Sequence, residues 1–310
     1  MMGGVPSNGL AALVVNGARA RRVAGLRDAF TAMAAARGYA ASVLMTNPAD
    51  GGEEATRMAL ADGATVVIAA GGDGTVRACA QVLAGTSVPL AIVPAGSANL
   101  TARALGLPGG LAAALAVGFT GTDRPLDLIS VDGLACVAMA GIGVDAAVVG
   151  ATSEQLKRRT GWPAYAAASF RQLLAPPAEF TISLDGGPPL IRRACSVVVG
   201  NTGLLPGGFP ILPDARPDDG ILDVGVLAPA GLAGWVSVGY RAVLASRRDD
   251  AQLERFRART VEVRATGPQP RQVDGEVISP GRDLSACVRP GALRVRVTAQ
   301  GRPRRGPRPG

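Results

Sequence analysis

From Ala64 to Thr75 the chain passes from an unbroken apolar run, Ala64–Ala70, into Gly71-Gly72-Asp73-Gly74-Thr75. A short apolar run closed by glycines reads as a strand buried on both faces. A helix is expected to start at Thr75. The chain is thereby committed to a strand–turn–helix unit, the connection around which ligand-binding parallel sheets are built. Glycines let the backbone approach a phosphate, and a helix N-terminus favours negative charge. A plain connection needs fewer glycines and no carboxylate. Asp73 would repel a phosphate unless it binds Mg²⁺, accepts a proton, or does both.

The flanking segments extend this unit. Strand signals at Leu10–Val15, Ala41–Leu44 and Val88–Val93 alternate with helical patterns at Arg19–Arg37, Gly52–Asp62 and the segment ending near Leu105. Gly38 is placed to end the first helix. This order implies a parallel sheet covered by helices. A second polar turn, Gly96-Ser97-Ala98-Asn99, follows the fourth strand. It reads either as a helix cap made by Ser97 or Asn99, or as a second wall of one cleft in which Ser97 donates to a phosphate.

The pattern changes near Pro125. Leu126–Val131 and Leu134–Ala140 flank Asp132-Gly133, a hairpin signal, and Phe180–Asp185 and Arg192–Gly200 flank Gly186-Gly187. Leu222–Leu227, Thr260–Ala265, Arg271–Val277 and Leu293–Thr298 follow, so this half reads as an antiparallel β-sandwich. Helical patterns interrupt it at Glu154–Leu174 and Gly231–Arg247. The second is apolar with arginines at its end, and reads as packing on the sandwich or facing lipid.

The residue inventory removes competitors. There is no histidine, so a Ser-His-Asp triad and a His-ligated metal are excluded. Lys157 is the only lysine among the 32 basic residues, so no glycine loop carries the lysine of a Walker motif. Cys79, Cys136, Cys195 and Cys287 lack metal-ligand spacing and read as small core residues. The net charge of +8, almost all of it arginine, reads either as the residue preference of a high-GC genome or as attraction to an anionic surface. No basic motif interleaved with aromatics points to nucleic acid. The N-terminus lacks a signal-peptide pattern. The long uncharged stretches Ala78–Ala102 and Val224–Tyr240 are broken by proline and glycine, so neither reads as a membrane span.

Two further segments carry carboxylates. Val273-Asp274-Gly275-Glu276 reads as a two-residue hairpin turn, after which Glu276 could take a proton from an alcohol. Asp214–Asp223 is a turn dense in acids: either a solvated loop or an oxygen-ligated Mg²⁺ site using Asp219 and backbone carbonyls.

Taken in order, GGDGT at 71–75, PAGSANLTARALGLP at 94–108, MAGIGVDA at 139–146, LKRRTGWPAY at 156–165, VGNTG at 199–203, LPDARPDDGILDV at 212–224 and VDGE at 273–276 resemble the diacylglycerol kinase catalytic-domain family, in its bacterial soluble lipid-kinase branch. The resemblance runs from about Leu10 to Thr298. It implies an N-terminal Rossmann-like parallel α/β domain of the NAD kinase and diacylglycerol kinase type, residues 9–125. A C-terminal antiparallel β-sandwich that takes the lipid, residues 126–298, and a disordered basic tail, 299–310, would follow. It implies ATP and Mg²⁺ as cofactors, and transfer of the γ-phosphoryl group to a lipid hydroxyl, diacylglycerol giving phosphatidic acid.

By the same resemblance, Gly71, Gly72, Asp73, Gly74, Thr75, Val76 and Arg77 would line the nucleotide phosphates, with Thr46 and Ser97 as hydroxyl contacts. Glu276 matches the proton acceptor, and Asp73 a catalytic acid linked to metal or to the base role. The Arg216 and Ile221 carbonyls with the Asp219 carboxylate match a structural Mg²⁺ site. Three positions depart from the family pattern: Leu100 follows Asn99 where Asp is common, Asn16-Gly17-Ala18-Arg19 replaces the usual first loop, and Arg77 stands where Asn is frequent. Apolar residues in Val197–Leu212, including Leu204, Leu205, Phe209 and Ile211, read as acyl-chain lining or as ordinary core. The expected setting is cytoplasmic, peripheral to an anionic membrane, with pairing into a homodimer open through a sheet edge. The competing readings are phosphorylation of a soluble nucleotide in the manner of NAD kinases, and a non-catalytic nucleotide- or lipid-binding module.

Overall fold

The computed structural model describes residues 8–17, 25–47, 49–144, 176–203, 211–244 and 249–299. The expected helix at Glu154–Leu174, the residues Leu204, Leu205 and Phe209, and nearly all of the basic tail lie outside them. The chain divides into two compact units, one of residues 1–126 with 291–310, the other of residues 127–290. Residues 291–299 therefore group with the first unit, although the sequence order assigns them to the sandwich.

The first unit holds strands β1 (Leu10–Val15), β2 (Ala40–Met45), β3 (Ala64–Gly71) and β4 (Leu90–Pro94), all parallel in the order β2-β1-β3-β4. Val295, near the end of the last strand, lies parallel beside Leu90 of β4. Nearly every residue of β1 and β3 is buried because helices cover both faces. Helix α1 (Leu26–Ala36) turns Leu26, Phe30 and Ala34 inward at four-residue spacing. Gly38 follows it with φ +69°, the left-handed conformation that ends a helix. Helices α2 (Glu53–Ala61), α3 (Asp73–Leu83), α4 (Leu100–Ala104) and α5 (Leu111–Thr120) complete the layers. Helix α5 is apolar on nearly every side, so no amphipathic period marks it in the sequence. Tyr39 and Phe119 pack edge to face with ring centroids 5.5 Å apart.

The second unit is antiparallel. Strand β7 (Met139–Gly143) pairs with β10 (Ser196–Gly200), β10 with β11 (Leu222–Leu227), and β11 with β12 (Leu253–Ala258), which the sequence pattern does not reveal. Strand β8 (Ala178–Leu184) pairs with β9 (Leu190–Ala194). Strand β13 (Thr260–Val273) serves both groups: Val261–Ala265 pairs with β8 and Arg271–Val273 with β7, with register shifts between. Phe180, Ile182, Val197, Val199, Val224 and Val263 share the core.

Three expected elements resolve differently. The run Arg192–Gly200 divides at Cys195, whose amide donates to the Leu227 carbonyl. Leu134–Ala140 becomes β6 (Leu134–Cys136), which pairs back to β5 (Thr122–Val131), and then β7. Thr260–Ala265 and Arg271–Val277 join into β13 and the start of β14 (Glu276–Val297), with the turn at Asp274-Gly275. The cysteines differ too: Cys79, Cys136 and Cys195 are buried, but Cys287 is exposed.

Candidate active site

In the first unit, four strands end along one edge of the sheet. Asn16 follows β1 and bonds through its amide to the Ala70 carbonyl, and Thr46 follows β2 and bonds to the Val15 carbonyl. Ala95, just past β4, donates to the Gly71 carbonyl at 2.8 Å. Both glycine turns thus meet at one place. Their contact is so close that a Cβ on Gly96 would stand 2.5 Å from the Gly72 Cα, so no other residue fits there without moving the backbone.

Helix α3 begins at Asp73, two residues earlier than expected, with Gly72 as its N-cap and no side-chain cap. The first-turn amides therefore have no acceptor within the helix, which is the arrangement that receives an anion. Val76 is different: its side chain is buried and its amide already bonds the Gly72 carbonyl. Thr75 is buried, and its hydroxyl accepts from the Asn16 amide nitrogen at 3.3 Å. The Asp73 carboxylate accepts the Thr101 backbone N–H at 3.3 Å, tying the first turn of α3 to the start of α4. Asn99, at +48° φ, is the N-cap residue of α4 and its carbonyl accepts the Arg103 N–H, but its side chain makes no cap bond; it accepts the Gly96 N–H and donates to the Gly96 carbonyl, closing its own turn. Ser97 is exposed on that turn, Arg77 half-buried on α3, and Thr46 half-buried beside Gly52. Two glycine turns meeting at the start of a helix with no side-chain cap fit a polyphosphate.

In the second unit, Glu276 is exposed at the first position of β14, paired with Val273 across the turn. Asp274 and Gly275 have φ of +49° and +78°, as a primed hairpin turn requires. The Asp274 side chain does more than turn the chain. It is 2% exposed and accepts the backbone N–H groups of Val137 at 2.8 Å, Ala138 at 2.7 Å and Met139 at 3.1 Å, and the Cys136 thiol at 3.3 Å. Burial pushes its pKa up, against the pull of those donors. These bonds explain the break between β6 and β7, because the amides there serve a carboxylate instead of a neighbouring strand. Gln272, also buried, accepts the Gly275 N–H. The hairpin that presents Glu276 is therefore held from both sides. An Asp-Gly pair reads only as a turn in sequence, which is why Asp274 was not expected to bind anything.

The acidic loop after position 211 is ordered from within the same unit. Buried Asp127 accepts the Gly220 N–H at 2.6 Å and donates its own amide to the Pro217 carbonyl. Asn201 donates to the Asp127 carbonyl at 2.9 Å. The Asp219 carboxylate accepts the Ile221 N–H and pairs with the Arg257 guanidinium. Asp223 lies 3.7 Å from Arg257; burial, with Asp219 and Asp214 adding to it and Arg257 opposing, pushes its pKa up to about 6. Its second oxygen is buried with no hydrogen-bond partner among the described residues. Among those residues no group of three acidic or cysteine side chains is set to hold a metal. A site of one carboxylate and the Arg216 and Ile221 carbonyls needs no such group, and the orphaned Asp223 oxygen fits a nearby cation. A cation there would compete with Arg257 for Asp219. Of the apolar residues read as acyl-chain lining, Val197, Val199 and Ile211 are buried core.

Residues 11–131 match the diacylglycerol kinase catalytic domain, and residues 138–297 match the YegS C-terminal NAD kinase beta sandwich-like domain. A probable lipid kinase YegS-like protein of Pseudomonas aeruginosa is 36% identical over 253 residues, covering 78% of this chain and 79% of its own. One from Pseudomonas syringae pv. tomato is 34% identical over 271 residues, covering 85% and 86%. Among solved structures, a diacylglycerol kinase of Bacillus anthracis superposes with a TM-score of 0.67 at 21% identity, over 94% of this chain and 98% of that one. An NAD kinase of Archaeoglobus fulgidus in complex with ATP gives 0.52 at 14% identity, over 94% and 95%. These two likenesses establish the fold, an N-terminal parallel α/β part and a C-terminal antiparallel sandwich.

Proposed function

The chain belongs to the diacylglycerol kinase catalytic-domain family, and on that premise we propose that it is a lipid kinase that transfers the γ-phosphoryl group of ATP to a lipid hydroxyl, with diacylglycerol as acceptor and phosphatidic acid as product. The observation that carries the reading is the double glycine turn at the uncapped start of α3, where backbone amides and the Thr75 hydroxyl can receive a polyphosphate. The lipid oxygen attacks the γ-phosphorus, the bond to the β-phosphate oxygen breaks, and ADP leaves. Glu276 takes the hydroxyl proton, oriented by the hairpin that Asp274 and Gln272 hold. Asp73 orders the first turn of α3 through Thr101. Asp219 with the Arg216 and Ile221 carbonyls would hold a magnesium ion that steadies the acidic loop, and magnesium bound with the nucleotide would supply charge neutralisation for the transfer.

Labelled ATP offered with diacylglycerol, phosphatidylglycerol, sphingoid bases and NAD tests this reading. Label is expected in diacylglycerol; label in NAD alone overturns the lipid reading. Glu276→Gln should lower kcat by about 10²–10⁴-fold while ATP binding persists. Full activity in that variant removes Glu276 as the proton acceptor, and Asp73→Asn then tests its rival.

A further inference from the structure

Helix α6 (Gly231–Val243) has two faces of different character. One is held by the unit: Val238 is 4% exposed, and Gly234 packs so tightly on Pro229 that a Cβ would come within 2.8 Å of its backbone. The other carries Val236, Tyr240 and Leu244, spaced by four residues and 72%, 66% and 59% exposed. Residues at that spacing stand one above the other on a helix. Ala233 continues the line toward the N-terminus and is also exposed. Scattered exposed apolar residues are ordinary, but an aligned stripe on one helix is not. In sequence, Arg241, Arg247 and Arg248 occupy the helix end and the segment after it, in a chain of net charge +8.

We propose that this stripe is the face by which the protein docks on an anionic bilayer, α6 lying in the headgroup plane with Val236, Tyr240 and Leu244 turned into the acyl boundary. The proposal rests on the lipid-kinase reading, since an acceptor carrying two acyl chains resides in a bilayer. No helix among the described residues is long and apolar enough to cross one. Partial burial of an apolar face together with basic side chains is the recipe for an interfacial helix, and tyrosine favours that depth. The net charge of +8 supplies attraction to an anionic leaflet, and it weakens with salt.

The full-length protein is sedimented with vesicles of phosphatidylcholine mixed with phosphatidylglycerol. The wild type is expected to co-sediment, less so at high salt. The triple variant Val236→Asn, Tyr240→Asn, Leu244→Asn should bind at least about tenfold more weakly. Tyr240→Trp, which keeps the apolar face, should bind as tightly as the wild type and show a blue shift of tryptophan emission on vesicles. A wild type that does not sediment, or a triple variant that binds equally well, overturns the proposal. So does a wild-type dimer that the triple variant dissociates, since the face then belongs to a second copy. Should the triple variant fail to fold, the Tyr240→Trp protein decides, and emission unchanged by vesicles overturns the docking face. Transfer of label to a short-chain, water-soluble diacylglycerol is measured in parallel. Its absence, with vesicle binding intact, removes the kinase reading and leaves the docking face standing; equal transfer by wild type and triple variant supports the docking role.

Discussion

Asp274 shows how one buried side chain can organise a hairpin and the strand beside it. Its carboxylate accepts three backbone amides and a thiol from Cys136–Met139, so replacing one oxygen with an amide nitrogen turns a donor toward donors. Asp274→Asn should cost roughly 1–3 kcal/mol of stability, read from urea unfolding, because a buried donor is left without its acceptor. Asp185 offers a contrast at the surface. It accepts the amides of Arg259 at 2.7 Å and Thr260 at 2.8 Å, which hold its pKa below the usual carboxylate value. A carboxyl depressed in the folded state stabilises the protein above its unfolded pKa and loses that contribution as pH falls through the folded one. Stability should therefore fall on acidification below about pH 4, and Asp185→Asn should flatten that part of a melting-temperature profile.

At the scale of elements, the two glycine turns work as a pair. Strand β4 lies beside β3 with Pro94 opposite Gly71, so the turns that follow must pass each other at the distance of two glycine Cα atoms. Gly96→Ala should force them apart. The expected result is a weaker affinity for ATP, about tenfold or more, with a lower melting temperature, both measurable by thermal shift with and without nucleotide. The sequence placed both turns at strand ends, and the pattern of apolar runs sufficed for that. It started α3 two residues late, because glycine and aspartate have low helix propensity and only the backbone of Gly72 reveals where the helix begins. It overlooked α5, whose apolar residues show no helical period, and divided β13 in two, because Gly267 and two prolines interrupt a strand that tertiary pairing keeps whole.

At the scale of the whole molecule, the last strand belongs partly to each unit. Leu293, Val295 and Val297 are buried, and Arg296 bonds Asp123 and the Gly118 carbonyl within the first unit. Burial of three such side chains is worth about 6 kcal/mol, a large part of the stability of an ordinary domain. Truncation after Pro290 should thus abolish the cooperative melting of the first unit, which circular dichroism would register, even though the deleted residues lie far along the chain from the strands they support.

The amino-acid sequence by itself determined the parallel strands, the two phosphate-friendly turns and the antiparallel second half. Each is a local matter: runs of apolar residues make buried strands, and glycine with aspartate makes turns. The absence of histidine and of a loop lysine narrowed the chemistry in the same way. Tertiary structure alone decided what Asp274 binds, which oxygen of Asp223 is left without a partner among the described residues, and which strand receives Val295. Those facts depend on residues more than one hundred positions apart meeting in space, or, for Asp223, on burial by the folded unit. No periodicity in the chain encodes such encounters, because a carboxylate in a turn has the same local signature whether it faces water or three buried amides.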